Sequence, residues 1–160
     1  MLGPSGRGWT TLIDGSDPGT LAGWSPLGVG RWSVAGGAVQ GLQGRAGFLV
    51  SADSYTDFEL RAEFWADAAA DSGLFLRCQD RRRVAADNSH EVEIADWRPD
   101  TLAVDRWSTL EISARGERIA IARNGRKVAE RRDQRFRSGP IALQSAGGTI
   151  RVRKLQIRTL

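Results

Sequence analysis

The sequence contains little cysteine, histidine or methionine, with one residue of each among 160. Because Cys78 is the only cysteine, no disulfide bond can form within the chain. The single histidine, His90, leaves too few imidazole ligands for a typical transition-metal site. We therefore expect no resident metal and no cofactor. A calcium or other divalent ion on carboxylate and carbonyl oxygens stays open.

Long apolar runs are also missing. No stretch approaches the ~18 residues of a membrane-spanning helix, and the first residues lack the pattern of a signal peptide. The sequence therefore predicts a cytoplasmic protein without a membrane partner, and secretion stays open if a leader precedes these residues. It also contains no GxSxG, HExxH, CxxC or Walker motif, which argues against the enzyme classes that depend on them.

The composition is that of a soluble globular protein, with 41% hydrophobic and 26% charged residues. A length of 160 residues predicts one domain, 1–160. The formal net charge is +4, yet the arginines are interleaved with acids and only Arg81–Arg83 forms a tight run. We therefore expect no nucleic-acid partner.

Short alternating runs separated by turn formers dominate the chain. Residues 57–65 (DFELRAEFW) alternate over their whole length, which is typical of a half-buried strand. Asn124-Gly125 predicts a tight type I′ hairpin, and Gly36-Gly37 predicts another. With about a dozen strands and no long helix, we predict an all-β, concanavalin-like jelly-roll sandwich of two antiparallel sheets, with the terminal strands close together.

Sorting the strands by alternation places several polar side chains on one open face. Carboxylates, amides, arginines and aromatic rings are the groups that hydrogen-bond and stack on sugars. An ordinary solvated sheet face would show the same alternation, so both interpretations stay open here. The polar residues assigned to this face are Glu63, Arg77, Glu91, Glu93 and Gln144, together with one or more tryptophans.

The ordered blocks of the sequence resemble a known family. GWTTLIDG, RWSVAGGAVQG, FLVSADSYTDFELRAEF, DSGLFLR, HEVEIAD, RWSTLEISARGERIAIARNGRKV and GPIALQSAGGTIRVRKLQIRTL follow one another as in the 3-keto-disaccharide hydrolase domain family, which is concanavalin-like. The resemblance implies cleavage of a small-molecule glycoside whose sugar carries a ketone at C3. It also implies a separate sugar 3-oxidoreductase that makes the ketone, so the domain needs no nicotinamide of its own.

A C3 ketone acidifies the hydrogen on C2, so a carboxylate can remove it and the anomeric group can leave, after which water adds. On the resemblance, the predicted catalytic residues are Glu91 or Glu93 as the base, Arg77 as the electrostatic partner and His90 as a source of imidazole. The predicted substrate-binding residues are Glu63, Trp65, Asp96, Trp97 and Gln144.

Two departures from the family pattern favour a different class of function. Ala146 stands where the family usually has a histidine in a QxHG-like motif, and the segment between Asp96 and Arg106 is short. The alternative is therefore a non-catalytic carbohydrate- or protein-binding β-sandwich module.

Overall fold

The computed structural model describes residues 8–42, 46–71, 73–93 and 105–160, and these residues form strands joined by turns. One short 3-10 helix covers Thr20–Gly23, and no helix in these ranges is long and apolar enough to cross a membrane. The strands are β1 (Trp9–Asp14), β2 (Trp24–Gly28), β3 (Trp32–Ala35), β4 (Ala38–Gly41), β5 (Gly47–Ser51), β6 (Phe58–Ala66), β7 (Gly73–Leu76), β8 (His90–Glu93), β9 (Ser108–Arg115), β10 (Arg118–Arg123), β11 (Arg126–Arg132), β12 (Ala142–Ser145) and β13 (Ile150–Thr159).

The strands form two antiparallel sheets that pack face to face. The eight-stranded sheet has the order β11-β10-β9-β6-β13-β4-β3, with β1 also paired to β13. The five-stranded sheet has the order β2-β5-β12-β7-β8. The predicted jelly-roll sandwich is confirmed, and so is the pairing of the terminal strands, since Trp9 of β1 lies opposite Arg158 of β13.

The core lies between the sheets and follows the alternation of the sequence. Phe58, Leu60 and Phe64 of β6 face the five-stranded sheet, which contributes Leu74 and Leu143 among others. Each of these side chains is at most 1% exposed. Burying one such side chain stabilises the fold by about 1.5–3 kcal/mol, so this interface fixes which side of every strand faces outward.

Two hairpins form where glycine-containing pairs predict them. Asn124 and Gly125 have φ of 49° and 79° between β10 and β11, as a type I′ turn requires. The side-chain oxygen of Asn124 also accepts a hydrogen bond of 2.9 Å from the backbone nitrogen of Thr109. Gly36 and Gly37, with φ of 61° and 77°, join β3 to β4 in the same way.

A second, smaller apolar cluster lies on the outer face of the five-stranded sheet, the face turned away from the eight-stranded sheet. Val50, Phe75 and Ala142 point outward there, and Cys78 and Val84 of the segment 77–89 pack over them. This segment therefore covers part of the outer face. The part that it leaves open contains the candidate site.

Candidate functional site

The candidate site is built from the two edge-side strands and one central strand of the five-stranded sheet. Val92 and Leu143 are buried in the core, so their neighbours Glu91, Glu93 and Gln144 point to the outer face. Glu91 and Gln144 are half-buried and Glu93 is exposed. The structure thus brings these three predicted residues to one face; their roles stay predictions.

A glycine separates Glu93 from Gln144. Glu93 pairs with Gly73 of β7. On the other side of β7, Leu74 pairs with Leu143, the neighbour of Gln144. The two polar residues are therefore two strands apart, roughly 10 Å between their Cα atoms. Gly73, whose backbone is buried, places no side chain between them, and we call this position the gap.

Two aromatic rings lie near the gap. Phe48 of β5 lies opposite Gln144, and its ring meets that of Phe75 edge to face at 5.7 Å. Phe48 is half-buried, so part of its ring is available to an apolar face of a ligand. Neither Phe48 nor Gly73 was predicted from the sequence. Phe48 alternates with the core residue Leu49 along β5, and this alternation would have placed it on the outer face.

The edge strand that carries both glutamates is tied to the other sheet. Nη2 of Arg131 in β11 donates a 2.6 Å hydrogen bond to the carbonyl oxygen of Glu91. Beyond this edge lies a cleft of about 400 Å³, with Val92, Ile121 and Ala129 among its apolar lining residues. The Arg131 contact holds β8 in place at the rim of that cleft.

Arg77 does not lie on the open face, so its predicted placement beside Glu91 and Glu93 is wrong. Its φ of 53° ends the alternation of β7, and its side chain turns inward and is 0% exposed. It donates hydrogen bonds to the carbonyl oxygens of Thr56 at 2.6 and 2.9 Å, Gly116 at 2.6 Å and Phe136 at 3.3 Å. A guanidinium used in this way ties segments together and cannot reach a substrate.

His90 is likewise buried, which contradicts its predicted place in the site. It shares the parity of Val92 and is 0% exposed. Nδ1 lies 3.1 Å from the Asp133 carboxylate, and Nε2 lies 3.2 Å from the Phe136 carbonyl oxygen. Burial lowers the pKa of His90, and the contacts with Phe136 and Asp133 oppose this only in part.

Glu63 and Trp65 belong to the other sheet, so the expectation that they share a face with Glu91 is wrong. Both are on β6, on the outer face of the eight-stranded sheet. Glu63 is paired with Arg153 at 3.4 Å, and the guanidinium of Arg151 lies 4.9 Å from the Trp65 ring centroid. Alternation correctly identified which side of β6 faces outward, but it gave no information about which of the two sheets contains β6.

The remaining predicted binding residues, Asp96 and Trp97, lie outside the described residues. Within the ranges that the structure describes, no three His, Cys, Asp or Glu side chains converge as a metal site.

The comparisons with known proteins agree with this architecture. The family model of the 3-keto-alpha-glucoside-1,2-lyase-like domain matches residues 8–102 and 97–158. The chain belongs to this family. The resemblance to 3-keto-disaccharide hydrolases is therefore confirmed, and the lyase-like family is one named for an activity on carbohydrates. No curated protein sequence matches the chain.

Solved structures share the fold of this lyase-like domain at low sequence identity. A provisionally assigned glycosyl hydrolase from Parabacteroides distasonis has a TM-score of 0.76 at 15% identity, covering 96% of this chain and 94% of its own. A carbohydrate-binding module from Bacillus subtilis has a TM-score of 0.67 at 20% identity, covering 95% and 96%. A Bacillus subtilis protein with a galectin-like fold has a TM-score of 0.68 at 11% identity, covering 89% and 92%. At these identities the likeness establishes the fold alone.

Proposed function

We propose that this protein cleaves 3-keto-glycosides on the open part of the outer face of the five-stranded sheet. The observation that carries the proposal is the row in which Glu93 and Gln144 flank the gap at Gly73. Membership of the lyase-like family supports a carbohydrate-related function for that row. A sugar ring bound over this position would have a carboxylate on one side and an amide on the other.

The proposed reaction begins with removal of the C2 proton by the Glu93 carboxylate. The electron pair of the C2–H bond forms the enolate of the C3 ketone, and the C1–O bond then breaks. The aglycone oxygen leaves with a proton from solvent, and water adds across the C1–C2 double bond to give the free 3-keto sugar. No hydride moves, so this domain itself needs no nicotinamide, and a separate sugar 3-oxidoreductase would supply the ketone.

The amide of Gln144 takes the place that we predicted for Arg77. Its N–H groups can donate to the C3 oxygen as negative charge develops there, a contact whose removal typically costs about 2.7–4 kcal/mol of transition-state stabilisation. Glu91 is two residues from Glu93 on the same side of β8, roughly 7 Å away. We assign Glu91 to binding of sugar hydroxyls, because it lies opposite Phe75 of β7, whereas Glu93 lies opposite Gly73 and in line with Gln144.

The direct test uses chemically prepared 3-keto-glycosides with α and β linkages, with the unoxidised parent glycosides as controls. We expect release of aglycone from the keto compounds only. In D₂O, elimination followed by hydration introduces deuterium at C2 of the sugar beyond the exchange seen without protein, whereas direct hydrolysis does not. Absence of release across both linkages would overturn the proposal.

A second candidate function is carbohydrate binding without cleavage. Ala146 favours it, because this half-buried residue follows β12 where the family usually has a histidine. Calorimetry with unoxidised glycosides distinguishes the two functions. Saturable binding that is lost in Gln144→Ala, together with no turnover of any keto compound, would establish the binding module instead.

A further inference from the structure

The outer face of the eight-stranded sheet contains a set of arginines stacked on tryptophans. Along β13, Arg151 lies 4.9 Å from the ring centroid of Trp65 and Arg153 lies 4.2 Å from that of Trp107. Trp9 is contacted by two guanidiniums, those of Arg61 at 3.9 Å and Arg158 at 5.1 Å. We call this surface the arginine–tryptophan face; it consists of Trp9, Arg61, Trp65, Trp107, Arg151, Arg153 and Arg158.

Stacking leaves the binding edges of these arginines usable. A guanidinium that stacks through its planar face keeps its N–H edge for a carboxylate or phosphate, and it loses less conformational freedom on binding. Among the residues that the structure describes, Arg61 and Arg151 make no ion pair, and their stacked rings hold them in place. These two arginines therefore have the donors that an anionic ligand needs.

The strands of this sheet carry the positive excess of the whole protein. Their outward positions hold nine basic and five acidic side chains, an excess of four, which equals the formal net charge of +4. The basic ones are Arg61, Arg115, Arg118, Lys127, Arg132, Arg151, Arg153, Lys154 and Arg158, and the acidic ones are Asp14, Glu59, Glu63, Glu111 and Glu130.

Two of these carboxylates are shared rather than matched one to one. Glu59 contacts both Arg115 at 3.2 Å and Arg158 at 2.7 Å. Glu130 contacts both Arg118 and Lys127. A carboxylate shared by two cations leaves one positive charge uncompensated, so the excess is not cancelled by local pairing.

A depression of about 230 Å³ adjoins this surface between Trp9 and Lys127. Its floor is formed by the short side chains of Ser113, Ala120 and Ala122, and Arg61 lines its rim. A flat sheet with a shallow depression fits one unit of an extended chain rather than a deeply enclosed small molecule.

We propose that the arginine–tryptophan face binds a uronate-bearing polysaccharide. The carboxylate of a uronate unit suits the N–H edges of Arg61 and Arg151. The indole rings on which nucleic-acid bases would have to stack already carry guanidiniums, which disfavours single-stranded nucleic acid as the ligand. This surface lies on the opposite side of the core from Glu93, so the two proposals can be tested independently.

The test is affinity for polygalacturonate, measured against a neutral glucan of similar length and single-stranded DNA. We expect saturable binding of polygalacturonate that weakens with salt, and none of the glucan. Arg61→Gln combined with Arg151→Gln should lower the affinity about tenfold. The matched control, Arg82→Gln combined with Arg137→Gln, removes the same charge from exposed positions elsewhere and should change affinity little.

Melting temperatures show whether each variant is folded. Should the glutamine variant unfold early, Arg61→Lys combined with Arg151→Lys keeps the charge while removing the bidentate edge, and it should still lose affinity several-fold. Equal losses in the test and control pairs would overturn the proposal. So would unchanged affinity in the lysine variant, or single-stranded DNA binding as tightly as polygalacturonate.

Discussion

The carbonyl oxygen of Phe136 accepts a 3.3 Å hydrogen bond from Arg77 and lies 3.2 Å from Nε2 of His90. The two residues that sequence reasoning assigned to catalysis thus meet on one backbone group in the interior. Together they fasten the segment between β11 and β12 to the strands β7 and β8. Their substitution should therefore affect folding before it affects chemistry.

Arg77→Met should lower the free energy of unfolding by about 3 kcal/mol or more. The methionine leaves the part-buried carbonyl oxygens of Thr56 and Gly116 without their donors, and unsatisfied buried acceptors cost about 1–3 kcal/mol each. Urea unfolding measures this, with Arg82→Met at an exposed position as the control. Loss of turnover on keto-glycosides with wild-type stability would instead restore Arg77 to the site.

Stability should fall as the pH drops below the ordinary His90 pKa of 6.5. Burial lowers the pKa of folded His90, so the unfolded chain binds the proton first and the folded state loses stability until the folded pKa is reached. Asp133 faces the imidazole, and Arg135 holds the pKa of that carboxyl well below its usual 3.8. The stability that the ionised Asp133 carboxylate contributes is lost only at more acidic pH.

Urea unfolding between pH 7.5 and 5 isolates the histidine effect, and His90→Gln should flatten the curve. The buried guanidinium of Arg77 also disfavours protonation of His90. A pH dependence unchanged in His90→Gln would contradict this account.

Glu93→Gln should lower the rate of aglycone release by ~10²–10⁴-fold with little change in melting temperature, because it removes the base but keeps the size. Glu91→Gln should cost less, mainly through KM. Glu117→Gln, at the turn between β9 and β10 and paired with Arg132 at 2.9 Å, is the matched control. Wild-type turnover in both Glu91 and Glu93 variants would exclude these carboxylates as the base.

Gly73→Ala should disturb the gap between Glu93 and Gln144. An added Cβ would lie 2.7 Å from the carbonyl oxygen of Val92, a backbone atom of the paired strand. We expect a loss of about 1–3 kcal/mol in unfolding free energy from this overpacking and reduced turnover in the folded protein. Gly23→Ala, where a Cβ meets nothing within 4 Å, should be nearly neutral. Full activity and stability in Gly73→Ala would show that the gap is not needed.

Alternation predicted the fold well because the period of two records directly which side chains are buried. Phe58 and Phe64 pack inward and Glu91 and Glu93 point outward, as the sequence indicates. It failed at Arg77, where a positive φ reverses the direction of the side chain. For Glu63 and Trp65 it gave the side of the strand but not the sheet, since strand order depends on pairings between residues far apart in sequence. His90 lies two residues from Val92 and on the same side of β8, so the alternation alone would have been enough to predict that His90 is buried.

The position of β13 determines when the fold can be completed during synthesis. This strand pairs with β6 on one side and with β4 and β1 on the other. A nascent chain that ends before residue 150 therefore has its larger sheet in two parts, with unpaired edges on β6 and β4. Such edges attract other strands, and pairings over long sequence separations form slowly. Protection from aggregation should accordingly matter most in the interval before β13 leaves the ribosome.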